Sequence, residues 1–125
     1  CAAALASTEV IQEENLLEYC NTLGAHCIKI LNKMKDRHAI IGDVRCKGAL
    51  MGIELVKDRQ SKEPFPEAGE FVYQHAFQNG LAWIPAGHIL RMSPPIVMDL
   101  DTAAKGLEII EEAIAAAEKS LLERA

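Results

Sequence analysis

No stretch of this chain approaches the ~18 consecutive apolar residues that a membrane-spanning helix requires, so no membrane partner is expected. No basic segment leads into a short apolar run and a small-residue cleavage site, so no secretory signal is read at the start. A basic stripe is also missing. The 125 residues carry 13 Lys plus Arg against 18 Asp plus Glu, a formal charge of −5, which argues against nucleic acid as a partner. The four cysteines, Cys1, Cys20, Cys27 and Cys46, make neither a CxxC pair nor a zinc spacing, so no metal ligand is assigned. Cys20 and Cys27 fall on the apolar stripe of a predicted helix and read as reduced core residues, which suits a cytoplasmic protein. There is no Walker loop, GxGxxG, HExxH or GxSxG, and no histidine stands beside a plausible Ser or Cys nucleophile. Repeats and low-complexity linkers are absent, so residues 1–125 read as a single domain of ordinary composition, half hydrophobic and a quarter charged.

What is present is strongly periodic. Residues 2–13 are Ala-rich and then acidic, a good helix former without a capping residue before it; the simplest account is that the polypeptide continues upstream. Asn15 is expected to cap a second helix, with Glu18 as its capping-box partner. In that helix Leu16, Cys20, Leu23, Cys27, Ile30, Leu31 and Met34 form one apolar face. Residues 43–56 read as a first strand region interrupted at Gly48 and Gly52, where a bend, a bulge or a close backbone approach is expected. Residues 57–66 form a polar loop, and Pro66 opens a third helix that ends at Asn79-Gly80. Residues 81–84 and 88–92 read as short strands joined by a turn at Pro85-Ala86-Gly87. Asp99 caps a last helix whose stripe is Ala103, Leu107, Ile110, Ile114, Ala117 and Leu121. Helices on a small, mostly antiparallel sheet of three to four strands make the fold class α+β.

Two stretches carry candidate chemistry. In Gly87-His88-Ile89-Leu90-Arg91-Met92-Ser93-Pro94-Pro95, an arginine stands in an otherwise apolar strand, where it needs an anionic partner or a route to water. It is either a structural ion pair, a side chain reaching solvent, or a fork for a carboxylate, whose geometry the planar guanidinium matches. The other stretch is Gly42-Asp43-Val44-Arg45-Cys46-Lys47-Gly48-Ala49-Leu50-Met51-Gly52-Ile53-Glu54-Leu55. There Arg45 is a second possible anion site and Glu54 a solvent-facing residue. His26, His38, His75 and His88 are scattered and read as surface or helix histidines, His88 being set apart only by its nearness to Arg91.

Together with Asn79-Gly80-Leu81 and Leu90-Arg91-Met92-Ser93-Pro94-Pro95-Ile96, this second stretch resembles the small domain of class III aminotransferases, the ornithine, acetylornithine and 4-aminobutyrate group. The family pattern is similar to G-[DE]-V-R-G-x-G-L-M-x-G-I-E-L followed by a Gly-Leu turn and I-R-x-S-P-P-L. The opening Cys1-Ala2-Ala3-Ala4-Leu5-Ala6 is similar to the helix after the family's G-N-P-L-A segment. The chain departs from the pattern at Cys46, where the family has glycine.

The resemblance implies the C-terminal small domain of a larger fold-type-I enzyme, with residues 1–13 continuing a helix from an upstream cofactor-binding domain. It implies a transaminase that moves an amino group between an amino acid or amine and a 2-oxo acid through pyridoxal phosphate. A homodimer and an own large domain are implied as partners. The resemblance assigns Arg91 as the substrate-binding residue, gripping the carboxylate. It places the Schiff-base lysine, the aspartate under the pyridine nitrogen and the phosphate-binding threonine outside this chain. No catalytic, cofactor-binding or metal residue is therefore assigned here, and the 125 residues alone are expected neither to bind the cofactor nor to transaminate. Decarboxylating or aminomutase-type siblings share the scaffold. The alternative from another class is a free-standing ligand-binding or dimerisation module without catalysis.

Overall fold

The computed structural model describes residues 1–123. Its elements are α1 (Ala2–Glu13), α2 (Leu16–Arg37), β1 (Ile41–Lys47), β2 (Leu50–Leu55), α3 (Pro66–Gln78), β3 (Ile89–Met92) and α4 (Leu100–Leu122). The three strands form one antiparallel sheet in the order β1-β2-β3. The fold is α+β, four helices with a three-stranded antiparallel sheet.

One face of the sheet builds the core. Val44 of β1, Met51, Ile53 and Leu55 of β2, and Leu90 and Met92 of β3 are buried against Leu23, Cys27, Leu31 and Met34 of α2 and Leu107, Ile110 and Ile114 of α4. Ala68, Val72 and Ala76 of α3 join the same cluster, so α2, α3 and α4 each bury one stripe at helical spacing. The residues between them on the strands, Arg45, Gly52, Glu54 and Arg91, occupy the opposite face, and none is buried. A strand's period of two dictates this split.

The segment read as one bent strand over 43–56 is in fact a hairpin. Gly48 and Ala49 form a two-residue turn, Gly48 at φ 55°, and the strands pair from Lys47↔Leu50 to Ile41↔Leu55 with a register shift between Ile41 and Asp43. Glycine at the first turn position is what such a tight connection requires. The same turn packs on α2 so closely that a methyl group at Gly24 would overlap the Gly48 carbonyl.

Residues 81–84 are not a strand. Leu81 and Trp83 are half-buried while Ala82 and Ile84 are exposed, an alternation that a strand would show, but β2 is β3's sole ladder partner among the described residues. Pro85, which has no N–H to donate, then ends the segment. The turn expected before β3 is present, with Gly87 at φ 61° and the Ile89 N–H donating to the Ala86 carbonyl at 3.2 Å.

Asn15 does not cap α2 with its side chain. It sits at φ 55°, and its amide donates to Glu18 Oε2 at 2.9 Å instead of accepting from a backbone N–H. A capping residue needs an extended backbone; Asn15 is committed to the left-handed turn that separates α1 from α2. Asp99 does cap α4, accepting from Thr102 N at 2.8 Å. Pro66 opens α3 and Gly80, at φ 90°, follows its end.

His38 is not a surface histidine. It is 9% exposed at the end of α2, with Nδ1 2.8 Å from Glu118 Oε2 and Nε2 3.3 Å from Glu111 Oε1. Arg59, in the loop between β2 and α3, donates to the carbonyls of His38 at 2.7 Å and Ile41 at 3.0 Å, tying that loop to the α2–β1 junction.

The substitution Gly24→Ala forces α2 and the hairpin apart. Urea unfolding is expected to show a loss of roughly 1–3 kcal/mol, and an unchanged midpoint would contradict the contact.

Candidate functional site

The period-two geometry that buries Leu90 and Met92 turns Arg91 to the open face of the sheet, where it is exposed. The sequence argument for an anion rested on an arginine among apolar neighbours. The strand resolves that tension by giving the guanidinium a route to water, and among the described residues it makes no ion pair and no side-chain hydrogen bond. β3 itself is held by the ladder to β2 from Met51↔Met92 to Glu54↔Ile89, extended by Leu55 N–H to the His88 carbonyl at 2.8 Å. The turn before it is seated on α3, where Gly69 leaves space for the Gly87 carbonyl that any side chain would fill. After it, the Tyr19 hydroxyl donates to the Met98 carbonyl at 2.6 Å and fixes the end of the Ser93–Asp99 connection against α2.

Arg45 lies in register with Arg91 across the sheet, with Gly52 between them. No side chain therefore separates the two cations on that face. Arg45 differs in being neutralised: its Nη1 donates to Glu54 Oε2 at 2.8 Å and to Asp43 Oδ2 at 3.2 Å. The hydrogen bond from Glu54's partner role keeps the Arg45 guanidinium more firmly protonated than usual. Asp43 is in turn held by Lys35 Nζ at 3.0 Å, and that hydrogen bond is the main cause that puts its carboxyl below the ordinary carboxylate range. Arg45 is thus a link in a surface chain Lys35–Asp43–Arg45–Glu54, worth little individually at such exposure. Glu54 is half-buried and paired rather than free in solvent. Arg91 is the arginine of this face left with its donors open.

Beside Arg91 is a cavity of about 360 Å³ between β3, the 81–84 segment and the first turns of α4. Its walls are mainly apolar, with Met51, Leu81, Trp83, Met92, Met98 and Leu107 among them, and Arg91, Ser93 and Thr102 are among its other lining residues. The sequence alone did not reveal it, because its walls come from α2, β2, β3, α4 and a loop. His88, the histidine closest in sequence, is half-buried and contributes its carbonyl to the β2 ladder. Cys46, at the departure from the family pattern, is half-buried and its thiol lies 3.3 Å from the Gly48 carbonyl and 3.5 Å from that of Gly24. Burial pushes that thiol up, away from the reactive thiolate.

Comparison with known proteins bears on this arrangement. A family model described as aminotransferase class-III matches residues 1–114. A leucine/methionine racemase of Thermococcus litoralis is 41% identical over 119 residues, 94% of this chain and 27% of that protein. A taurine–pyruvate aminotransferase of Bilophila wadsworthia is 54% identical over 67 residues, 54% of this chain and 15% of that protein. Among solved structures, an amine transaminase from an uncultivated Pseudomonas species, in its PLP-bound form, superposes with a TM-score of 0.89 at 28% identity, covering 94% of this chain and 27% of that one. The chain thus spans about a quarter of the length of relatives that it matches nearly end to end.

Asp43 sets a pH dependence. Its folded carboxyl titrates below its unfolded value of about 3.9, so its pairing contributes stability above that pH and loses it as pH falls through the lower folded value. Lys35→Met should therefore lower the unfolding midpoint at pH 7, and by progressively less as pH falls below about 3.9. An effect of equal size across that range would contradict the pairing.

Proposed function

The chain belongs to the class III aminotransferases, and from that premise we propose that it is the C-terminal small domain of a pyridoxal-phosphate-dependent transaminase in which Arg91 holds the substrate carboxylate. The observation that carries this reading is the position of Arg91: its guanidinium is unpaired among the described residues and exposed on the open face of the sheet, on a strand fixed from both ends. A planar fork with open donors suits a carboxylate through two parallel N–H···O bonds. Holding that group positions the amine or carbonyl at the other end of a small substrate, which is an orientation effect.

In this reading no residue of this chain is assigned to the cofactor. Seven of its eight lysines are exposed, and the eighth, Lys35, is committed to Asp43. None lines the cavity beside Arg91. Pyridoxal phosphate, which serves as an electron sink when bound, belongs in this reading to a large domain outside these 125 residues. That large domain also accounts for apolar surface that the described residues leave open. No residue of α1 is buried, and Leu5, Leu17 and Val97 are each more than 60% exposed. Exposed apolar residues of this kind suit a docking face. The reading extends to a homodimeric, cytoplasmic protein, and no helix among the described residues is long and apolar enough to cross a membrane.

A second reading is favoured by one specific relative, the Thermococcus racemase, which is similar over nearly the whole chain. Racemisation of an amino acid also needs a held carboxylate, so Arg91 keeps its role and the product differs. Chiral analysis of an L-amino acid incubated with and without a 2-oxo acid separates the two: transamination requires the acceptor, racemisation does not.

In the full-length enzyme, Arg91→Lys is expected to lower kcat/KM for carboxylate substrates roughly tenfold or more, because lysine is a point charge without the fork. An amine substrate lacking a carboxylate should be little affected. Unchanged kinetics with glutamate or pyruvate would overturn the assignment. The isolated 125 residues supplied with pyridoxal phosphate are expected to convert no amino acid, and turnover by them would contradict the division of labour.

A further inference from the structure

The open face of the sheet has no side chain at its centre. Gly52 stands there in the middle strand, in register with Arg45 on one side and Arg91 on the other, with Leu50 and Glu54 before and after it on the same face. Glycine in the interior of a strand is costly, because it loses the most conformational freedom on folding and packs nothing. A bend, a bulge or a close approach are the usual reasons for it. The fold supplies neither of the first two here. The one register shift in the β1–β2 ladder lies between Ile41 and Asp43, and the glycines at positive φ are Gly48, Gly80 and Gly87. Nor does packing within the chain require it. A Cβ at Gly24 or Gly69 would overlap a backbone carbonyl, but a Cβ at Gly52 would meet, among the described residues, Ile89 Cγ2 alone, at 4.0 Å. Arg45, Glu54 and Arg91 all stay more than 4 Å from that position, so the arginines themselves do not use the room.

What is left is the close approach of another group to a bare stretch of backbone. The neighbours decide which kind. Arg45 is balanced by Glu54 and Asp43, while Arg91 keeps its donors open, so the free charge beside Gly52 is positive and suits an anion. We infer, building on the reading of Arg91 as a carboxylate fork, that Gly52 is a specificity-determining residue of that site: its missing side chain leaves the floor over which the group next to the carboxylate lies, and so sets how bulky that group can be. Met51 and Ile53 are buried on the core side, so the strand's alternation aims position 52 at the open face. A side chain added there would stand between Arg45 and Arg91. It would narrow the space for the ligand without touching the guanidinium that holds it. Gly52 acts on the ligand by clearance, and Arg91 by charge and hydrogen bonds.

The test uses the full-length protein and two probes, acetate and trimethylacetate, which share the carboxylate and differ in the bulk beside it. Affinities come from calorimetry and stabilities from thermal unfolding, so neither readout depends on turnover. Gly52→Ala weakens trimethylacetate more than acetate. Gly52→Val weakens both, by roughly tenfold or more, the scale of overpacking a confined space. Both variants unfold at the parent's temperature or above it, because either residue holds a strand interior better than glycine does. Lost affinity without lost stability is a result that a merely structural glycine would not give. Affinities that neither variant changes, or an Ala variant that weakens the two acids equally, overturn the inference. So does a lowered unfolding temperature, since protein rather than ligand would then pack on Gly52. Arg91→Lys separates the underlying reading by weakening both acids alike. If it does so while the Gly52 variants bind normally, the role of Gly52 fails alone. If it changes neither acid, the carboxylate reading fails and the role of Gly52 fails with it.

Discussion

The account depends on one geometrical constraint, the alternation of a three-stranded antiparallel sheet that has one face against helices. Leu90 and Met92 must enter the core, and β3 is too short and too firmly laddered to β2 to slip. A one-residue change of register would put Arg91 into the apolar core and the two core side chains into water, which is a strong specification of register. Arg91 is therefore presented to the open face by the same packing that stabilises the domain. Gly52 opposite leaves the space beside it empty, and the Lys35–Asp43–Arg45–Glu54 chain absorbs the neighbouring positive charge.

Helices α2, α3 and α4 were legible in the sequence because each buries one stripe of small or aliphatic residues. The Leu23–Cys27–Leu31–Met34 face of α2 and the Ala103–Leu107–Ile110–Ile114–Ala117 face of α4 are both buried as their spacing demands. The hairpin was less so. Gly48 interrupts an apolar run in the same way whether it kinks one strand or turns between two, and only pairing decides. Residues 81–84 show why alternation is insufficient: the pattern is there and the ladder partner is not. His38 was unreadable for a related reason, since Glu111 and Glu118 that meet it lie more than 70 residues away.

The candidate site divides along the same line. Arg91 was singled out as a candidate by its motif, and its place on β3 follows from local alternation. The cavity beside it was not, because its walls are assembled from five parts of the chain. Arg45 reads as an anion site in sequence and as an ion-paired residue in space, since the register that sets Glu54 beside it emerges only with the hairpin. In the reading proposed here the labour is divided: this domain grips and orients, and the chemistry belongs to a large domain outside these 125 residues. Transamination and racemisation both accept that division.

The central claim is that Arg91 is the group that receives the carboxylate. A crystal structure of the full-length protein with a bound, unreactive carboxylate analogue tests it most directly. The account predicts two N–H···O contacts of about 2.7–2.9 Å from the Arg91 guanidinium to the two carboxylate oxygens. Arg91 paired to an internal acid, with the carboxylate held by other residues, would contradict it.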